Sequence, residues 1–305
     1  MDLTPTPRLS IGPVLYYWAR ETLDAFYEEV ADLPVDLVYL GETVCAKRRS
    51  FRLQDWIDWG ERLAAAGKEV VLSGMALLEA DSELKALQHL CENGRFRVEA
   101  NDMGAVQLLA ARGLPFVAGP SINLYNPRAL SVMAKAGMIR WVLPVELSRT
   151  ALEGLQRSRP PGVQTEVLAY GRLPLAYSAR CFTARAYNLP KDDCALRCLD
   201  HPDGFTLRTR EGEPFLALNG IQTQSAQTQC LLADLPQLAA LEVDILRISP
   251  QARHTAQVVD AFRHCIDGDL PPEEGARSLA GLMPIGPCDG YWHGRPGMAQ
   301  VGTLG

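Results

Sequence analysis

Short runs of apolar and β-branched residues recur along the chain: Val14–Trp18, Leu37–Leu40, Val70–Leu72, Phe96–Glu99, Phe116–Ala118, Trp141–Val145, Glu166–Ala169 and Ile245–Ile248. Most are apolar on both faces instead of alternating, as strands of a parallel sheet covered on both sides are. Between them apolar residues fall at helical spacing. Leu23, Phe26, Tyr27 and Val30 stand at i, i+3, i+4 and i+7, and Leu53, Trp56, Ile57 and Gly60 repeat the pattern. Asp102, Asn126 (followed by Pro127) and Ser148 are helix-start signals. The alternation predicts βαβ units around a parallel sheet. Eight strand candidates within about 250 residues fit a (β/α)8 TIM-type barrel better than an open doubly wound sheet. No Gly-rich loop follows the first strand, which removes the usual dinucleotide-binding reading.

The rhythm breaks at residues 171–230. This segment reads as an insertion between barrel strands 7 and 8, ending in a hairpin over Phe205–Leu218 whose turn is Arg210–Glu213. Residues 271–305, rich in Pro and Gly, are expected to wrap the barrel as an irregular tail. Residues 1–305 are thus read as one barrel domain carrying one insertion.

Composition narrows the class. The 305 residues are 47% hydrophobic and 22% charged, ordinary for a globular protein with a large core. A net charge of −6 argues against wrapping nucleic acid. The opening MDLTPTPRLSIGPVLYYW lacks a basic n-region and carries prolines where an apolar h-region would run. No apolar run is long enough to span a bilayer. The chain reads as cytoplasmic, where clustered cysteines are metal ligands or redox thiols more often than disulfides.

There are eight cysteines. Cys91 and Cys265 fall on apolar helix faces and Cys230 enters an apolar run, so all three read as small buried hydrophobes. Cys288, in the Pro/Gly-rich tail, has no assigned place. Cys181, Cys194 and Cys198 differ, standing among Arg180, Arg185, Lys191 and Arg197. Neighbouring cations are expected to lower thiol pKa values and favour the metal-binding thiolate. Cys194 and Cys198 are i and i+4, so one helical turn would aim both sulfurs at one point. Cys45 follows strand Leu37–Leu40 and emerges on the barrel face where the insertion also emerges, which makes it the fourth candidate. The spacing lacks the paired CxxC knuckles typical of zinc and suits an iron–sulfur cluster at least as well. A zinc or cluster site that only staples the insertion to the barrel stays open.

Strand ends also supply Glu42, Glu99, Asn101, Asn123, Tyr125, Glu146, Tyr170 and Arg172, positions that line the pocket of a barrel enzyme. Asp102 and Asn126 are accounted for as caps. Arg172 and Arg180 suit a carboxylate ligand or a negatively charged cluster. His89, His201, His254, His264 and His293 show no ligand spacing. No HExxH occurs, and no Ser-His-Asp ordering is evident.

The segment YGRLPLAYSARCFTARAYNLPKDDCALRC (170–198) resembles the peptidase U32 superfamily. Within it, the likeness is to the branch that serves oxygen-independent ubiquinone synthesis. YLGETVCAKRRSF (39–51), ALNGIQTQSA (217–226) and CDGYWHGRPGM (288–298) extend the resemblance over essentially the whole chain. The resemblance implies one 4Fe–4S cluster on Cys45, Cys181, Cys194 and Cys198, the set reached above. It implies a heterodimer with a second U32 protein, UbiU, and a lipid-binding accessory protein, UbiT. It implies ring hydroxylation of ubiquinone precursors without O2, with prephenate as oxygen donor and no proteolysis. U32 members called peptidases carry a Gly-rich approach and tighter cysteine spacing, which AYSARCFTARAYNLPKDDC lacks. Two other expectations remain: a scaffold subunit with a structural cluster, and an RNA-hydroxylating U32 relative.

Overall fold

A computed structural model describes residues 6–302. Strands β1 (Arg8–Ile11), β2 (Leu37–Leu40), β3 (Glu69–Ser73), β4 (Arg97–Ala100), β5 (Phe116–Ala118) and β6 (Met138–Val142) pair in parallel, each with the next. The long β7 (Gln164–Tyr177) continues that order. Three antiparallel strands follow: β8 (Phe205–Arg208), β9 (Pro214–Asn219) and β10 (Gln222–Cys230). The parallel strand β11 (Ile245–Ile248) pairs with both β7 and β1 and closes an eight-stranded parallel barrel. The short β12 (Pro287–Cys288) lies along β10.

Helices fill the crossovers: α1 (Arg20–Asp32), α2 (Leu53–Ala65), α3 (Asp81–Cys91), α4 (Met103–Ala111), α5 (Pro127–Lys135) and α6 (Arg149–Gln156). Then come α7 (Phe182–Ala186) in the insertion, α8 (Leu235–Ala240), α9 (Thr255–Asp267) and α10 (Pro272–Leu279). The three start signals are seen as drawn. Asp102 accepts the N–H of Gly104, Asn126 that of Ala129 and Ser148 that of Ala151.

Three expectations are corrected. The first strand is Arg8–Ile11, and Val14–Trp18 is a buried loop. Its apolar side chains are taken into the core while the Leu15 carbonyl accepts from Arg48 Nη1 and Asn219 Nδ2, both at 2.7 Å. The tail is not wholly irregular, because Pro272–Leu279 is helical and buries Ala276 and Leu279. Residue 171 is no boundary either. It falls inside β7, whose first half closes the barrel and whose second half pairs with β10.

The barrel interior is charged. Ser10, Tyr39, Glu99, Arg140, Glu166 and Arg247 come from six different strands and meet along the axis. Arg247 Nε lies 2.8 Å from Glu166 Oε1, its Nη2 is 2.8 Å from Glu99 Oε1, and its guanidinium stacks 4.0 Å over the Tyr39 ring. Ser10 donates to Glu166, Ser73 to Glu99, and Arg140 reaches Tyr39 and Glu69. Burial alone would raise the Glu166 pKa, but Arg247 and Arg140 overcome it and hold the carboxyl below its ordinary value. Cys91, Cys230 and Cys265 are buried as expected, and so is Cys288, in β12.

Candidate functional site

The site begins where β2 leaves the barrel. Gly41 has φ +140°, and a Cβ there would stand 2.3 Å from the Ser73 carbonyl, so the sharp exit requires glycine. Glu42 Oε1 then accepts the N–H groups of Val44 (2.8 Å) and Cys45 (3.0 Å), which fixes the Cys45 loop.

The two residues after Ala46 tie that loop to the insertion. Lys47 Nζ donates to the Lys191 carbonyl (2.7 Å) and to Asp192 (2.8 Å). Arg48, buried to 1% side-chain exposure, donates to the Leu15 carbonyl and, at 2.6 Å, to Asn219 Oδ1. Its counter-charge is Glu42 at 3.6 Å. Gly220 (φ +66°) follows Asn219, and a Cβ there would lie 3.0 Å from Arg48 Nη2. The same turn receives α7: Phe182 donates to the Gly220 carbonyl, and Gly220 donates to Thr183 Oγ1.

On the insertion side, Cys181 caps α7, its sulfur accepting from the Ala184 N–H at 3.4 Å. Cys194 and Cys198 do not share a helical turn. Cys194 ends one 3-10 turn (Lys191–Asp193) and Cys198 sits in a second (Arg197–Asp200). Ala195 (φ 47°) and Leu196 (φ 51°) join them in the left-handed region, a strained pair for residues with side chains. The second turn is held from outside. Arg197 stacks 4.2 Å over Tyr187, whose hydroxyl meets His201 Nε2 at 2.6 Å, and His201 packs on Phe205.

All four candidate thiols are half-buried, unlike the other four cysteines. They share one neighbourhood. Cys45 and Cys198 lie within charge range of each other, Cys198 also feels Cys181, and Lys47 feels both Cys45 and Cys194. Burial pushes the Cys45 and Cys198 thiols up, and the opposing Arg48 does not overcome it. The lowering expected for Cys198 is thus not seen, because desolvation outweighs the cation. Among the described residues, no three His, Cys, Asp or Glu side chains are gathered closely enough to hold a single metal ion. Ligands of one ion with bonds near 2.3 Å stand about 4 Å apart, whereas in a multi-iron cluster each thiolate takes its own iron and the ring is wider. The four half-buried thiols, with Lys47 and Arg48 beside them, are of the donor type that an iron–sulfur cluster takes.

The strand-end residues divide. Glu99, Asn101 and Arg172 line a small cavity of about 40 Å3 at the barrel mouth with Thr43, Tyr177 and Ser249. Glu42 belongs to the thiol loop instead. Tyr125 donates to Glu146 (3.1 Å) at the surface, Asn123 closes a 3-10 turn, and Tyr170 bonds Gln251. Arg172 and Arg180 are not a pair: the first is buried at the mouth and the second is exposed. Sequence reasoning gave no role to Lys47, Arg48, Asn219 or Thr183. The available signal was the CAKR run, in which two cations directly follow a candidate ligand.

Fold and site together define a TIM-type barrel whose β2 loop and β7–β11 insertion bring four thiols to one face. The profile of Peptidase family U32 matches residues 18–300, and the chain belongs to that family. A solved U32 peptidase aligns at 11% identity and TM-score 0.46, over 82% of this chain and 95% of its own. Dihydropteroate synthase from Thermus thermophilus aligns at 13% identity and TM-score 0.44, over 86% and 93%. No helix among the described residues is long and apolar enough to cross a membrane.

Proposed function

We propose that this chain is an iron–sulfur subunit of the UbiV type. It would act with a UbiU-like U32 partner, and a UbiT-like lipid-binding protein, in O2-independent ring hydroxylation of ubiquinone precursors with prephenate as donor. The observation that carries the reading is the shared neighbourhood of Cys45, Cys181, Cys194 and Cys198, locked by Lys47 and Arg48 across two distant chain segments. These four would hold a 4Fe–4S cluster, which supplies one-electron chemistry when bound. Four protein ligands leave no open iron position, which favours electron transfer or a structural role over direct activation of the donor. Arg48 and Lys47 offset the negative charge of the thiolates and keep the β2 loop against the insertion. Buried Arg172 and Asn101 at the barrel mouth would meet a carboxylate of the donor.

A second reading is favoured by the Arg48–Asn219–Leu15 cross-link, which belongs equally to a structural staple. In that case the chain is a scaffold, and the cluster only shapes the surface that its partner grips.

The test is an anoxic assay of both chains, precursor and prephenate. Hydroxylated product is expected only when all four are present, and Cys181→Ala should give none while still folding. Product formed without prephenate would sink the donor assignment. Full activity in Cys181→Ala would leave only the scaffold reading.

A further inference from the structure

A cleft of about 400 Å3 opens between α2 and α3, above the ends of β2 and β3. Its apolar wall includes Phe51, Trp56, Met75, Leu78 and Leu90, and it reaches Ala46, the residue after Cys45. Barrel helices ordinarily close-pack against the sheet and one another, leaving few voids larger than a water. A space of this size with apolar walls has the character of a ligand site.

The rim carries charge of both signs, but its acidic groups are already taken up. Asp55 pairs with Arg20 at 2.8 Å. Glu42 is taken up by two backbone N–H groups and Arg48, and Glu83 accepts the N–H groups of Glu79 and Ala80. Arg49 and Arg52, both exposed on the rim, have no acidic partner within ion-pair distance among the described residues.

We propose that this cleft binds an amphipathic organic anion. Its aryl or alkyl body lies along Phe51, Trp56, Leu78 and Leu90, and its acidic head meets Arg49 and Arg52. The inference goes beyond the reading above and does not require the thiols to hold iron. If both hold, the bound molecule lies beside the Cys45 loop.

Trp56 reports on occupancy, because bromine quenches tryptophan only near contact. In the full-length protein, 12-bromododecanoate kept below its micelle concentration is expected to quench Trp56. Trp56→Phe removes that component. Arg49→Gln with Arg52→Gln weakens binding about tenfold, as loss of two exposed charge contacts should. Ala86→Phe, an exposed wall position that tolerates bulk without unfolding the core, blocks binding. The neutral 12-bromododecanol binds more weakly, and (11-bromoundecyl)trimethylammonium more weakly still. Equal quenching by all three probes, or quenching that persists in Trp56→Phe, overturns the proposal. No quenching by any probe, with Ala86→Phe instead losing a co-purified protein, makes the cleft a protein interface and overturns it as well.

Discussion

Arg48→Met is expected to lower the melting temperature by about 6–10 °C, the equivalent of roughly 3–5 kcal/mol for breaking a buried charge arrangement by removing one partner. The guanidinium is inside the protein, bonded to the Leu15 carbonyl and Asn219, with Glu42 as its counter-charge. Methionine fills the volume but leaves Glu42 and the Asn219 oxygen without that donor. The same change should loosen Cys45 from Cys198, since Arg48 bridges their segments. Retention of iron by anoxically purified protein is expected to weaken by about 10–100-fold, the usual cost of removing a group that orients ligands. Arg48→Lys keeps the charge without the fork and should fall between the two. Wild-type melting together with unchanged iron in Arg48→Met would remove Arg48 from the site.

Arg247→Met is expected to cost about as much or more, because two buried carboxylates, Glu99 and Glu166, lose their shared cation. Its effect carries a pH signature. Glu166 is held below its ordinary pKa in the folded protein, so its contribution is full above the unfolded carboxylate value of about 4.3 and is lost as pH falls through the lower folded value. The melting difference between wild type and Arg247→Met should therefore be greatest near neutrality and narrow toward pH 4 and below. A difference that stays constant with pH would mean Arg247 acts by packing alone.

The barrel was legible because short, largely apolar strand runs recur between helix-spaced segments and three helices carry ordinary caps. The first strand was misread for a physical reason. Val14–Trp18 has a strand's composition, yet side chains from residues 48 and 219 take up its Leu15 carbonyl, and no local pattern announces that. The axis charges were visible as Glu166 and Arg247 within apolar runs, but a strand-by-strand reading cannot tell that they face each other. The same holds for the site. Thiol identity and topology single out four cysteines, whereas the left-handed Ala195–Leu196 link appears only once the fold is seen. Lowering of the Cys198 thiol by neighbouring cations was overestimated, because burial cannot be weighed from sequence.

The most direct measurement is iron and acid-labile sulfide content, with EPR, on anoxically purified wild type, on single alanine variants at Cys45, Cys181, Cys194 and Cys198, and on Cys91→Ala. Expected are iron and sulfide near four each per chain, as one 4Fe–4S cluster requires. Both should be lost in the four variants and kept in Cys91→Ala, whose thiol is buried at the end of α3. Zinc in place of iron, or a cluster that survives Cys45→Ala, would contradict the four-thiol site.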